Sequence, residues 1–250
     1  MTIEISQHHL EDHDHDQLHY HVHRDPHKPS STLANVILGG QDGLVNVLGI
    51  VLGVAAATYD AQIVMVAGLA ATFAESVSMA AVAYTTALAE TAHYESERER
   101  EYRHVHLVPA VEREEIREIY RQKGFDGELL DQIVDKITAD KDVWVGVMMA
   151  EEHQLTPTTR NDALRSAFIV GVAAIIGSLI PLAPFAFFSV SISLWLSLLV
   201  SAIVLYIVGV YKARTTVGHP VKSGLEMAVI GIVSALIGYL VGILLKVPAA

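Results

Sequence analysis

Apolar and polar positions along this chain are segregated into long blocks. Residues 33–90 and 163–250 are nearly free of charge, whereas 91–162 hold 17 Asp and Glu against 10 Lys and Arg. A run of about 20 apolar residues crosses the hydrocarbon core of a bilayer. Five such runs are predicted: residues 33–57, a second from about Gln62 to Glu90, then 163–182, 185–210 and 225–245, with Pro181 and Pro184 ending the third. The second run has no breaker at its polar end, so its helix is expected to continue through Glu95–Glu101 until Pro109. Beyond it the period of 3.6 residues predicts three shorter helices, over 111–123, 128–139 and 141–155. Their apolar stripes are Ile116 and Ile119, then Leu129, Ile133 and Ile137, then Trp144, Val145, Met148 and Met149. Lys123–Gly127 reads as a helix stop and restart, and Thr156-Pro157 as a break before the third span. The fold class is therefore all-α: a polytopic membrane protein with five transmembrane helices and a helical insertion between spans two and three. The expected organisation is a tail (1–29), spans one and two (30–92), a cytoplasmic helical domain (93–160) and spans three to five (161–250). The domain's narrow stripes make a marginal core, which metal crosslinking, docking or a second subunit would each stabilise.

Polar residues interrupt the first two spans where lipid would exclude them. Asp42 lies in Gly-Gly-Gln-Asp-Gly, with Asn35 and Asn46 on the same side of the helix. An ionisable group at the bilayer centre costs about 2.5–3.5 kcal/mol, so it should face a partner or water. The flanking glycines permit close helix approach or local unwinding. The bland alternative is a protonated Asp42 that only hydrogen-bonds across helices. The short turn Thr58–Ala61 makes spans one and two antiparallel neighbours. It puts Asp42 and Glu75 at similar depth, ~24 and ~21 Å from the turn at 1.5 Å per residue. Asp42, Asn46, Glu75 and Met79 are thus the candidate transport path. Carboxylates with one thioether suit Fe²⁺ or Mn²⁺ better than Ca²⁺ or Mg²⁺, although a lone Met is more often packing.

Glu75 and Met79 begin a stripe that continues at helical spacing through Thr86, Glu90, His93, Glu97, Glu101 and His104. Mixed charge on such a helix usually means a solvated face. The histidines are less easily explained that way. Glu90-x-x-His93 and Glu101-x-x-His104 each place two ligands on one face, but they lie about 16 Å apart along one helix, too far to share a cluster. Glu97, Glu101 and His104, with Glu112, Glu115 and Glu152 from the following helices, form the candidate metal set of the domain.

Composition narrows the function classes. A net charge of −11 excludes nucleic acid as a partner, since phosphate binding needs a basic surface. With no Cys there is no disulfide, thiolate metal site or Cys nucleophile. Residues 1–29 lack the pattern of a signal peptide and hold eight of the 13 His. They read as a disordered tail that either binds divalent metals weakly or has no selected role. Basic residues lie in 91–162 and around the 211–222 loop but are absent from 58–61 and 181–184. The N-terminus and residues 93–160 are therefore expected in the cytoplasm, with the C-terminus outside or lumenal. The membrane would be the plasma membrane in a prokaryote or a vacuolar-type membrane in a eukaryote.

Over residues 30–250 the chain resembles the vacuolar iron transporter family. The resemblance rests on Gly-Gly-Gln-Asp42-Gly-Leu, Ser78-Met79, the Glu-rich extension with His93-Tyr94, Met148-Met149, and Arg165-Ser-Ala-Phe168. It implies a homodimer of five-helix subunits, a cytosolic three-helix metal-binding domain continuous with span two, and exchange of Fe²⁺ or Mn²⁺ for protons. By that likeness Asp42 and Met79 line the path, and Glu101, Glu112, Glu115, Met149 and Glu152 are domain ligands. The chain departs from the family pattern twice. Ala71 stands where the pattern has its path glutamate, so Glu75 either substitutes or acts differently, and His104 stands where a glutamate is expected. The resulting expectation is a transporter of divalent iron or manganese out of the cytoplasm, not an enzyme, with the metal as bound and transported ion and no prosthetic group. A carboxylate at low dielectric is neutralised by either a proton or a cation, which would couple the two. The rivals are a membrane di-iron oxidase assembled across a dimer and a non-transporting metal buffer or sensor.

Overall fold

The computed structural model describes residues 30–216 and 218–246, so the expectation for the His-rich tail lies outside the described residues. These residues form eight α-helices and no strand. They are α1 (Ser30–Thr58), α2 (Ala61–Leu107), α3 (Pro109–Gln122), α4 (Gly127–Thr138), α5 (Lys141–Val147), α6 (Arg160–Phe187), α7 (Val190–Thr215) and α8 (Pro220–Leu244). Five are long and apolar enough to cross a membrane: α1, α2, α6, α7 and α8.

The core of the spans gathers on α1. Val47, Leu48, Val51, Leu52 and Ala55 meet Val64 of α2, Leu182 and Phe185 of α6, Val190 of α7 and Ala235 of α8. Burying a large aliphatic side chain from water is worth about 1.5–3 kcal/mol, but between spans the alternative is lipid, so close packing decides association instead. The Gly-Gly-Gln-Asp-Gly segment supplies that packing. A Cβ on Gly39 would lie 2.3 Å from the Val170 carbonyl oxygen, and one on Gly43 2.4 Å from that of Ala174. From the other side, a Cβ on Gly177 of α6 would sit 2.1 Å from the oxygen of Gly40. The glycines thus serve backbone contact, and α1 stays helical through them without unwinding. Gly238 and Gly242 of α8 meet Gly49 and Gly53 of α1 in the same way. Overpacking such a contact costs about 1–3 kcal/mol. Gly177→Ala should accordingly lower the melting temperature of the detergent-solubilised protein, whereas Gly146→Ala, whose Cβ meets nothing within 4 Å, should not.

The third span does not end at its prolines. Helix α6 runs through Pro181 and Pro184 to Phe187, and the turn to α7 is Phe188-Ser189, which moves the start of the fourth span from residue 185 to Val190. A proline deletes one intrahelical donor, a loss that packing against neighbouring helices can outweigh in a bundle. Serines of α7 fasten the two helices together at this point, Ser197 Oγ donating to the Pro181 carbonyl at 2.6 Å and Ser193 Oγ to that of Pro184 at 3.0 Å. Ser193, Ser197 and Ser201 are fully buried, while Leu199, Ile203 and Ile207 on the opposite face are exposed. This inversion, small polar residues inside and large apolar ones outside, is what a lipid-facing helix requires.

Helix α2 is one uninterrupted element of 47 residues. Asp60 caps it, accepting from the backbone N–H of Gln62 at 2.7 Å and of Ile63 at 3.1 Å. At the other end Leu107 is its last residue and Pro109 opens α3 at the first-turn position that tolerates a missing N–H. Gly124 (φ 92°) and Gly127 (φ 56°) make the expected stop and restart in conformations other residues avoid. Helices α3, α4 and α5 enclose Ile116, Leu130, Val134, Trp144, Val145, Met148 and Met149 around Val105 of α2. The helix expected over 141–155 is shorter: α5 ends at Val147 and one turn of π-helix, Met148–Glu152, follows. The extra residue in that turn changes which way the side chains after it point.

Candidate metal path and metal-binding cluster

Two groups of ligand-type side chains are positioned by α2. The first joins it to α1. Asn46 Nδ2 donates to Glu75 Oε1 at 2.5 Å, and Asp42, one turn before Asn46, has its carboxyl group near that of Glu75. Asp42 and Glu75 are half-buried, and Asn46 opens to the surface of the chain. The two-residue turn between α1 and α2 thus brings Asn46 and Glu75 side by side. Met79 is half-buried one helical turn after Glu75. The neighbouring hydroxyls are engaged within α2, Thr72 Oγ1 donating to Gly68 O at 2.8 Å and Ser76 Oγ to Thr72 O at 2.6 Å. Asn35 turns elsewhere, to Ser166 Oγ of α6 at 2.9 Å.

The second group lies around Glu101. This side chain and Glu112 of α3 are each 3% exposed, a costly state for carboxylates that lack partners. His104 Nδ1 is 3.8 Å from Glu101 Oε1 and 3.3 Å from Glu112 Oε1, and His153 Nε2 is 3.1 Å from Glu101 Oε1. Glu101 belongs to two sets of convergent ligand atoms, one with His104 and Glu112, the other with Glu152 and His153. The second oxygens of Glu101 and Glu112 are buried with no hydrogen-bond partner. Donor separations of about 3.0–3.4 Å are the edges of an octahedron or tetrahedron with metal–ligand bonds of about 2.1 Å. A divalent cation between these atoms would satisfy both orphaned oxygens.

Glu115, predicted for the domain set, lies close enough to Glu112 for its charge to act on it. Met149 is buried in the apolar core of the domain beside Met148. Glu97 does not enter either convergent set and pairs with Arg100 at 3.4 Å. Glu90 and His93 are exposed and are likewise outside both sets among the described residues. His153 was missed by the sequence reading, because a regular helix through residue 155 turns it about 100° away from Glu152. The π-turn changes that register, and the adjacent Glu152-His153 pair was its only sequence signal.

Burial, then the charges of Glu115 and Glu101, raise the Glu112 carboxyl from 4.5 to about 8. Glu152 is raised in the same direction, first by desolvation and then by Glu115. A folded chain that holds a proton to higher pH than the unfolded chain binds more protons between the two values. Its stability therefore falls as pH rises through that window. Without metal, amide protection across residues 105–153 should fall between pH 5 and 8 once intrinsic exchange is corrected for, and saturating Zn²⁺ should flatten the dependence.

Residues 33–243 match the sequence profile described as the VIT family. The chain belongs to the VIT family. Among its relatives is a protein named vacuolar iron transporter 1 from Oryza sativa subsp. japonica, 31% identical over 88% of this chain and 88% of its own length. One of the same name from Tulipa gesneriana is 30% identical over 84% and 85%. A vacuolar iron transporter from Plasmodium falciparum is 26% identical over 86% and 82%. These VIT relatives are named as transporters, so the chain is a homologue of transporters and not of enzymes. With five apolar helices, this VIT family member is an integral membrane protein.

Proposed function

We propose that this chain carries Fe²⁺, and Mn²⁺ as a second cargo, out of the cytoplasm in exchange for protons. The observation that carries the reading is the continuity of α2, which holds both the Glu75 group at membrane depth and the Glu101 cluster. The two are about 39 Å apart along the helix at 1.5 Å per residue. On this reading the domain of residues 93–160 faces the cytoplasm, collects the cation at Glu101, His104, Glu112, Glu115 and Glu152, and delivers it to Asp42, Asn46, Glu75 and Met79. Glu75 takes the place of the glutamate that the family pattern has at Ala71. Names of the relatives, all iron transporters, support iron as cargo.

The exposure of Asn46 supports the pairing of two copies. It borders an open groove with Gly49, Gly53, Ser234, Gly238 and Gly242, and a second subunit on that surface would close the path away from lipid. Two protons, one on Asp42 and one on Glu75, replace the divalent cation after release, which resets the site without an unpaired charge in the membrane.

Anaerobic proteoliposomes with an entrapped Fe²⁺-sensitive dye, followed by an oxygen electrode on the same preparation, test the reading against an oxidase. Transport predicts dye quenching that accelerates with an opposing proton gradient and no stoichiometric oxygen uptake. Oxygen consumed in proportion to Fe²⁺, without quenching, would overturn it.

A further inference from the structure

The Glu101 cluster contains two imidazoles, one at His104 and one at His153, and the second is not among the loading residues named above. His153 sits where the π-turn ends, its backbone N–H donating to the Met148 carbonyl at 3.2 Å. That bond spans five residues instead of four, so Glu152 and His153, adjacent in sequence, both reach Glu101. The His153 ring is partly enclosed, with its side chain 23% exposed, and Nε2 is directed at the Glu101 carboxylate at 3.1 Å. The other oxygen of that carboxylate is buried and unpartnered.

Resting on the proposed loading role of this cluster, we propose that His153 is a metal ligand that sets its selectivity. It forms a cation position with Glu101 and Glu152, next to the one formed by Glu101, His104 and Glu112, and Glu101 is shared between them. Carboxylates alone suit Mn²⁺ and Mg²⁺, whereas neutral imidazole favours Fe²⁺, Co²⁺ and Zn²⁺. A cluster with one nitrogen donor in each position therefore ranks these borderline metals above Mn²⁺.

The test uses the full chain in detergent, without oxygen, titrated with Zn²⁺ and with Mn²⁺ against a chromogenic chelator. Every variant keeps residues 1–29, so binding by the tail histidines cancels in comparison. His153→Leu should lower Zn²⁺ affinity at the cluster by about tenfold or more and Mn²⁺ affinity by clearly less. His153→Glu keeps a ligand at the position and should raise Mn²⁺ affinity relative to Zn²⁺. Bound Zn²⁺ should also protect His153 from diethylpyrocarbonate in the wild type, as read by mass spectrometry of its peptide, and should not do so in Glu101→Gln. If His153→Leu keeps the wild-type Zn²⁺ affinity and Zn²⁺ to Mn²⁺ ratio while Glu101→Gln loses binding, the role of His153 is refuted and the loading site stands. If Glu101→Gln binds as the wild type does, the loading site itself fails.

Discussion

Glu75→Gln should reduce Fe²⁺ flux by about 10–100-fold, the range seen when a group supporting a metal site is removed. The amide keeps the shape and can still meet Asn46, so the fold is preserved while the charge that attracts the cation is lost. Asp42→Asn should behave alike, because the two carboxylates face one another across α1 and α2. Asn46→Ala should have a smaller effect, since it removes a donor that orients Glu75 and not a charge. The measurement is initial Fe²⁺ entry into proteoliposomes normalised to inserted protein. Wild-type rates for both carboxylate variants would show that these groups lie outside the path.

Glu101→Gln should act in a different way. It removes the one carboxylate common to both sets of convergent ligands, so cation affinity of the domain should fall by about 10–100-fold. Because the path group is untouched, the maximal flux at saturating Fe²⁺ should change little, and the loss should appear as a higher half-saturating concentration. The same substitution removes a carboxylate that acts unfavourably on Glu112 and Glu152 in the same buried cluster. The metal-free variant should therefore be at least as stable as the wild type, which separates a lost ligand from a lost fold. A flux titration with a parallel thermal melt checks both. An unchanged half-saturating concentration would mean that the cluster does not feed the path.

Much of this arrangement was legible in the sequence because it depends on local rules. The long α2 follows from a cap at Asp60 and the absence of a breaker before Pro109. The meeting of Asn46 with Glu75 follows from the two-residue turn that precedes it. Where a helix is held by its neighbours, local rules fail. Pro181 and Pro184 read as terminators, yet α6 continues through them, packed on α1 and tied to α7 by Ser193 and Ser197. The π-turn at Met148–Glu152 has the same character. Nothing in Met-Met-Ala-Glu-Glu announces an extra residue, yet it determines that His153 faces Glu101. Glu97 shows the converse, a residue in register with the metal-facing stripe that pairs instead with Arg100. Helical spacing identifies a face, and the packing of α3 and α5 then selects which part of it becomes a site.

The central claim is that a cation crosses the membrane by way of Asp42 and Glu75. Its most direct test is Fe²⁺ accumulation inside anaerobic proteoliposomes, with wild-type protein and the Asp42→Asn, Glu75→Gln double variant reconstituted at equal density. Accumulation should exceed the protein-free background for the wild type and be absent for the double variant, although both still bind metal at the Glu101 cluster. Equal accumulation by the two proteins, or none by the wild type, would contradict it.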